Sequence, residues 1–130
     1  MGLSRASDLF AAGVDFHGVH DWSDWRETVE PPSGGDPQAR QEFAREQRLA
    51  FDSSPMATID GWRSPVLLIH GDDDRNVSFE QTEVLAQALR ARQVPFEELI
   101  FPNEIHDFLR HQDWLTAYKA TADFFARKLK

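Results

Sequence analysis

His70-Gly71-Asp72-Asp73-Asp74-Arg75-Asn76-Val77 follows the apolar run Val66-Leu67-Leu68-Ile69, and Asn103-Glu104-Ile105-His106 follows Leu99-Ile100-Phe101-Pro102. Each run is short enough to be a buried strand. An acidic loop therefore leaves one strand and a histidine loop leaves the next. Acid before histidine is the order in which one kind of nucleophile–acid–base triad places its last two members along the chain. The nucleophile should then lie upstream of both. Serines stand at 4, 7, 23, 33, 53, 54, 64 and 78, and none sits in a Gly-x-Ser-x-Gly frame. Ser33 has glycines only after it, in a proline-led loop with no strand before it. Without an elbow that exposes the hydroxyl and supplies an oxyanion hole, a serine is a poor nucleophile.

Working outward, Val14 and Phe16 alternate within residues 11–18, which suits a first strand. Pro31-Pro32-Ser33-Gly34-Gly35 reads as a loop. Asp36-Pro37 then offers an N-cap and a first-turn proline for a helix to about Phe51, with Phe43, Leu49 and Ala50 as its apolar face. The spacing predicts a helix over 78–93, with a Ser78/Gln81 capping box and a stripe of Val84, Leu85, Ala88 and Leu89. A last strand spans 96–101. A last helix starts near Asp113 and places Trp114, Tyr118, Ala122, Phe125 and Leu129 on one face. Alternating strands and helices imply parallel strands joined by crossovers, an α/β sheet of about three strands flanked by helices. The outer edge of the first strand would be left unpaired. Residues 1–130 are therefore expected to be a single incomplete domain, part of a larger sheet.

The chain has 130 residues, enough for one domain, and with 41% hydrophobic residues it can build a core. A net charge of −8 without a basic cluster argues against nucleic acid. With no cysteine, a disulfide frame and a thiolate metal site are excluded. No apolar run reaches membrane-span length and no signal-peptide pattern is visible, so no membrane partner is expected. A cytoplasmic location follows unless an export signal lies upstream.

Among the three acids Asp74 is the choice, three residues beyond Gly71 and past the turn that ends the strand. It would accept a hydrogen bond from the His106 ring and fix its tautomer, and His106 would carry the proton. Alternatively, Asp72 to Asp74 form a solvated turn; consecutive acids do not match the alternating ligands of a calcium loop. His17 and His20, three apart on a strand, point to opposite faces and make a poor metal pair. His70 suits packing and hydrogen bonding at a strand end, and His111 the surface. Trp22 and Trp25 follow the first strand as Asp74 and His106 follow theirs, and either wall an apolar pocket or serve as ordinary core aromatics. Trp62 and Trp114 read as structural.

With these residues in view, nearly the whole chain resembles the C-terminal half of the catalytic domain of the prolyl oligopeptidase family of serine peptidases (peptidase family S9). The stretches 65–77 and 101–108 carry the likeness. Asp8-Leu9-Phe10-Ala11-Ala12-Gly13-Val14 is also similar to the segment behind that family's nucleophile elbow. The resemblance implies a partial α/β-hydrolase fold made of the C-terminal strands, with Asp74 and His106 as catalytic acid and base. It implies that Asn76 helps hold a substrate carbonyl, and that Val19, Trp22, Trp25 and Val77 line the pocket before the scissile bond. Trp25 stands where the dipeptidyl peptidase branch commonly has tyrosine. The family's serine elbow and β-propeller have no counterpart here, so the expectation is a truncated or internally started chain, inactive alone. The complete enzyme would cleave short peptides without metal or organic cofactor. Two rivals stand beside it: a non-enzymatic remnant that pairs with a second copy or an upstream half through its open sheet edge, and a fragment of an esterase.

Overall fold

The structure is a computed structural model and describes residues 1–24 and 35–129. Its centre is strand β2 (Val66–Gly71), whose six residues are all buried. A continuous apolar run of this kind fits a strand covered on both faces. Strand β2 pairs with strand β1 (Gly13–Phe16) on one side and with β3 (Phe96–Phe101) on the other, both in parallel. Phe16 lies beside Ile69, and Gly71 beside Phe101. The strands thus end together at one rim. The segments carrying His17 to Trp22, Asp74 and His106 all leave from it.

The chain opens with a short helix, α1 (Gly2–Arg5), followed after β1 by α2 (Pro37–Asp52). Helix α3 (Glu80–Ala91) joins β2 to β3, and α4 (His111–Lys128) follows β3. Side chains of β2 alternate between two cores. Val66 and Leu68 pack with Leu85, Ala86 and Leu89 of α3, and with Ile59, Trp62 and Val94. Leu67 and Ile69 pack on the opposite face with Phe101, Phe108 and the α4 residues Ala117 and Phe124.

Two expected faces and one expected cap differ from the structure. No residue of α2 is buried, and Leu49 is 66% exposed. The β1-to-β2 connection instead reaches the core through the 3₁₀ segment Pro55–Gly61, which brings Ile59 and Trp62 against the sheet. The start of α2 is as expected, with Asp36 accepting from the Gln38 N–H at 2.9 Å. On α4, Tyr118, Ala122 and Leu129 are exposed, while Ala117 and Phe124 are fully buried. A small alanine lets the helix approach β2, so the buried stripe is centred beside the large residues that suggested it. In α3 the capping box does not form. Phe79 takes the N-cap position, and the Gln81 side chain is engaged with residues 20 and 21.

Leu68 and Leu89 are both 0% exposed and meet across the α3 face. Truncating either to alanine is expected to cost about 2–5 kcal/mol, lost transfer energy plus the cavity. Urea denaturation checks this, with Leu49→Ala as a control expected to change stability by less than about 0.5 kcal/mol.

Candidate active site

Asp74 sits in the turn after β2 with its side chain fully buried. A buried carboxylate needs donors, and this one has four. Oδ1 accepts from the main-chain N–H of Asn76 at 2.8 Å and of Val77 at 3.0 Å. Oδ2 accepts from His106 Nδ1 at 2.7 Å and from His70 Nε2 at 3.0 Å. Burial alone would raise this carboxyl, but the Val77, His106, Asn76 and His70 donors outweigh it and hold the pKa below the usual aspartate value. Asp74 is therefore ionised at neutral pH.

His106 presents one nitrogen to that carboxylate. Its Nδ1 must carry the hydrogen, which leaves Nε2 as the lone-pair nitrogen of the neutral ring. Nε2 makes no hydrogen bond among the described residues, and 24% of the side chain is exposed. This arrangement can take a proton at Nε2 and stabilise the imidazolium through Asp74. His70 differs. Its Nε2 faces Asp74 and the Val77 carbonyl (3.2 Å), both acceptors, so its Nδ1 accepts from the Thr82 hydroxyl at 2.7 Å. Burial keeps this ring below the usual histidine range despite the neighbouring carboxylate. It is a neutral brace.

The base loop is held as firmly as the acid turn. Asn103 and Phe108 adopt left-handed φ values of 60° and 30° on either side of His106. Glu104, 1% exposed, accepts from the Leu109 N–H at 2.6 Å and pairs with Arg110 at 3.3 Å. Its main-chain carbonyl accepts from the Asp73 N–H at 3.1 Å, joining the two loops. A Cβ at position 71 would collide with that same carbonyl, so only glycine permits the approach.

This geometry coincides with a family likeness across the whole chain: the family model for the prolyl oligopeptidase family matches residues 1–130. The chain belongs to the prolyl oligopeptidase family. It is 27% identical to dipeptidyl aminopeptidase BIII of Pseudoxanthomonas mexicana over an alignment of 138 positions, covering 98% of this chain and 19% of that protein. Over 80 residues it is 32% identical to dipeptidyl-peptidase 5 of Porphyromonas gingivalis, covering 62% of this chain and 12% of the relative. The Pyrococcus horikoshii acylaminoacyl peptidase superposes with a TM-score of 0.80 at 24% identity, over 99% of this chain and 22% of that one. A puromycin-hydrolyzing peptidase of Mycobacterium tuberculosis gives 0.80 at 25%, over 98% and 19%. The chain thus spans about a fifth of the length of these relatives. Its parallel strands and flanking helices are part of the α/β-hydrolase fold that this prolyl oligopeptidase membership carries.

Of the other positions that the prolyl oligopeptidase resemblance singled out, Trp22 is 41% exposed beyond β1, and its main-chain N–H donates to Ser54 Oγ at 2.8 Å. Val19 is half-buried on the same loop, and Asn76 is exposed beside Asp74. Val77 is 7% exposed, and its main chain serves Asp74 and His70. Trp25 lies outside the described residues. His17 is a neighbour that sequence reasoning did not bring to the site. Its ring centroid is 3.9 Å from that of His106, and its backbone is left-handed, with φ 38°. Burial, and then the like charge His106 can carry, push its pKa down. Its position directly after β1 on the shared rim was the available signal.

The His70 brace has a pH signature. In the unfolded chain a histidine takes up a proton below about pH 6.5, whereas the folded ring resists it. The unfolded state then binds more protons, so this contribution is complete above that pH and fades on acidification towards the folded value. The Asp74 contribution persists until the pH falls below about 4. The thermal midpoint of the native chain should therefore fall more steeply between about pH 7 and pH 5 than that of His70→Gln. Parallel curves would rule out the neutral brace.

Proposed function

We propose that this chain provides the acid and base of a serine peptidase that releases short N-terminal pieces from peptides. Asp74 orients and charge-stabilises His106, and His106 Nε2 takes the proton from a serine contributed by a segment outside this sequence. One observation carries the reading: the 2.7 Å bond from His106 Nδ1 to Asp74 Oδ2, made between loops of adjacent parallel strands. The imidazolium then returns the proton to the leaving amine, and water repeats the cycle on the acyl-enzyme. Nothing in this route calls for a metal or organic cofactor. The names of the relatives, dipeptidyl peptidases and an acylaminoacyl peptidase, support a short peptide as substrate. Val19, Trp22 and Asn76 would meet that peptide, with Val77 backing the acid turn.

The serine would come from an upstream half seated against β1. The outer edge of β1 is unpaired among the described residues, and a cleft of about 250 Å³ lined by Leu3, Phe10, Val14 and Trp62 lies beside it. An unpaired strand edge flanked by apolar surface favours strand addition. A second copy of this chain is the rival occupant. Size-exclusion chromatography with and without the upstream half separates the two. A stable monomer that ignores the upstream half would sink both forms of pairing.

A fluorophosphonate probe should leave the isolated chain unlabelled, because no serine in it stands in a Gly-x-Ser-x-Gly frame. Stoichiometric labelling would reveal an overlooked nucleophile. Once the upstream half is supplied, hydrolysis should appear on a panel of aminoacyl-proline, acyl-peptide and simple ester substrates, with peptides preferred. In that complex Asp74→Asn should lower kcat by roughly 10⁴-fold with a much smaller change in KM.

A further inference from the structure

His20 and Asp15 form a second histidine–aspartate pair at the same rim, and the hydrolytic route leaves it unused. His20 is 3% exposed. Its Nδ1 lies 3.0 Å from the main-chain carbonyl oxygen of Gln81, and its Nε2 lies 3.1 Å from Asp15 Oδ2. A carbonyl oxygen only accepts, so Nδ1 carries a hydrogen. An ionised carboxylate also only accepts. Burial works to raise the Asp15 carboxyl, yet the bonds from His20 and from the Gly18 N–H outweigh it and hold it below the usual aspartate range. Nε2 must therefore donate as well, and a ring protonated at both nitrogens is an imidazolium. His70 makes the contrast plain: one of its partners is a hydroxyl, which can donate, so that ring needs no charge.

We propose that His20 is a buried imidazolium that positions the Trp22 loop, tying it to β1 through Asp15 and to α3 through Gln81. The role in substrate binding rests on the pocket reading of Trp22 given above. The rest of the loop is fastened to the same elements. The His20 and Asp21 N–H groups both donate to Gln81 Oε1 at 2.8 Å, and Gln81 Nε2 donates to the Asp21 carbonyl at 3.3 Å. The Met56 N–H reaches the His20 carbonyl at 3.1 Å. Beside an ionised Asp15, a neutral ring keeps only one of the two bonds and leaves a buried acceptor without its donor, which is the costly outcome. Among the described residues the charged groups around the pair are few. Asp15 lies on β1 with the Met1 ammonium acting on it through space, and His70 of β2, the other titratable group nearby, is the neutral brace. Asp21 turns its carboxylate to Ser23, and α3 offers the neutral carbonyl and amide of Gln81. His20 is thus a positioning residue; with both nitrogens bound it has no lone pair for catalysis.

¹⁵N-histidine NMR of the full chain at neutral pH reads the ring directly. The expected spectrum shows both His20 nitrogens protonated and slow to exchange, beside a singly protonated His70 as internal contrast. A neutral His20 tautomer overturns the proposal. In Asp15→Asn, which keeps the side-chain shape, amide exchange at Asp21 and Trp22 should accelerate about tenfold, the loss of one charge-assisted bond. Unchanged exchange there overturns the positioning role even if the ring is charged. Neither readout needs a nucleophile, so failure of the peptidase reading leaves both intact, and failure here leaves the Asp74–His106 tests standing.

Discussion

A carboxylate with no solvent contact must be surrounded by donors or give up its charge, and the rim of this sheet is arranged around meeting that demand for Asp74. Two of its donors are main-chain N–H groups of its own turn, so forming the turn and holding the charge are one event. The other two are rings from different elements, His70 on β2 and His106 beyond β3. Removing the charge while leaving the rings in place would take the acceptor away from both, at about 1–3 kcal/mol for a buried donor left unsatisfied such as His70 Nε2. The strand end, the acid turn and the base loop are consequently stabilised together.

Within the cluster, three histidines lie close to one another and only one is suited to proton transfer. His70 is fully enclosed with both nitrogens bound, and His17 is half-buried against His106. Burial keeps both neutral, so neither competes with His106 for the charge that Asp74 stabilises. His106 alone combines a bonded nitrogen with a nitrogen left open and partial exposure. Environment divides the labour here, since the three side chains are chemically identical.

Much of this was legible from residue order. The run Val66 to Ile69, the acids after it and the histidine after the next strand follow local rules of burial and turn formation. The sheet accordingly has its expected three parallel strands. The apolar residues of α2 gave no hint that the helix would stand away from the sheet, because helical periodicity reports amphipathicity and says nothing of what covers it. The α4 stripe was displaced because bulk was taken as the guide, whereas close approach to a strand selects a small residue such as Ala117. Gln81 looked like a cap, but distant groups at 20 and 21 bound it more fully than its own helix terminus does. The roles of His17 and His20 depend on pairings across the sheet, which spacing along the chain does not encode.

The Glu104 carbonyl pressing against Gly71 means that the separation of the acid and base loops is set by main chain against main chain. Side-chain rotamers only complete it. Within the strand–helix–strand unit that spans 66–106, the Asp74–His106 contact is thus registered by the backbone itself. A displacement of either loop would be passed to the other through the Asp73–Glu104 main-chain bond rather than absorbed by a side chain.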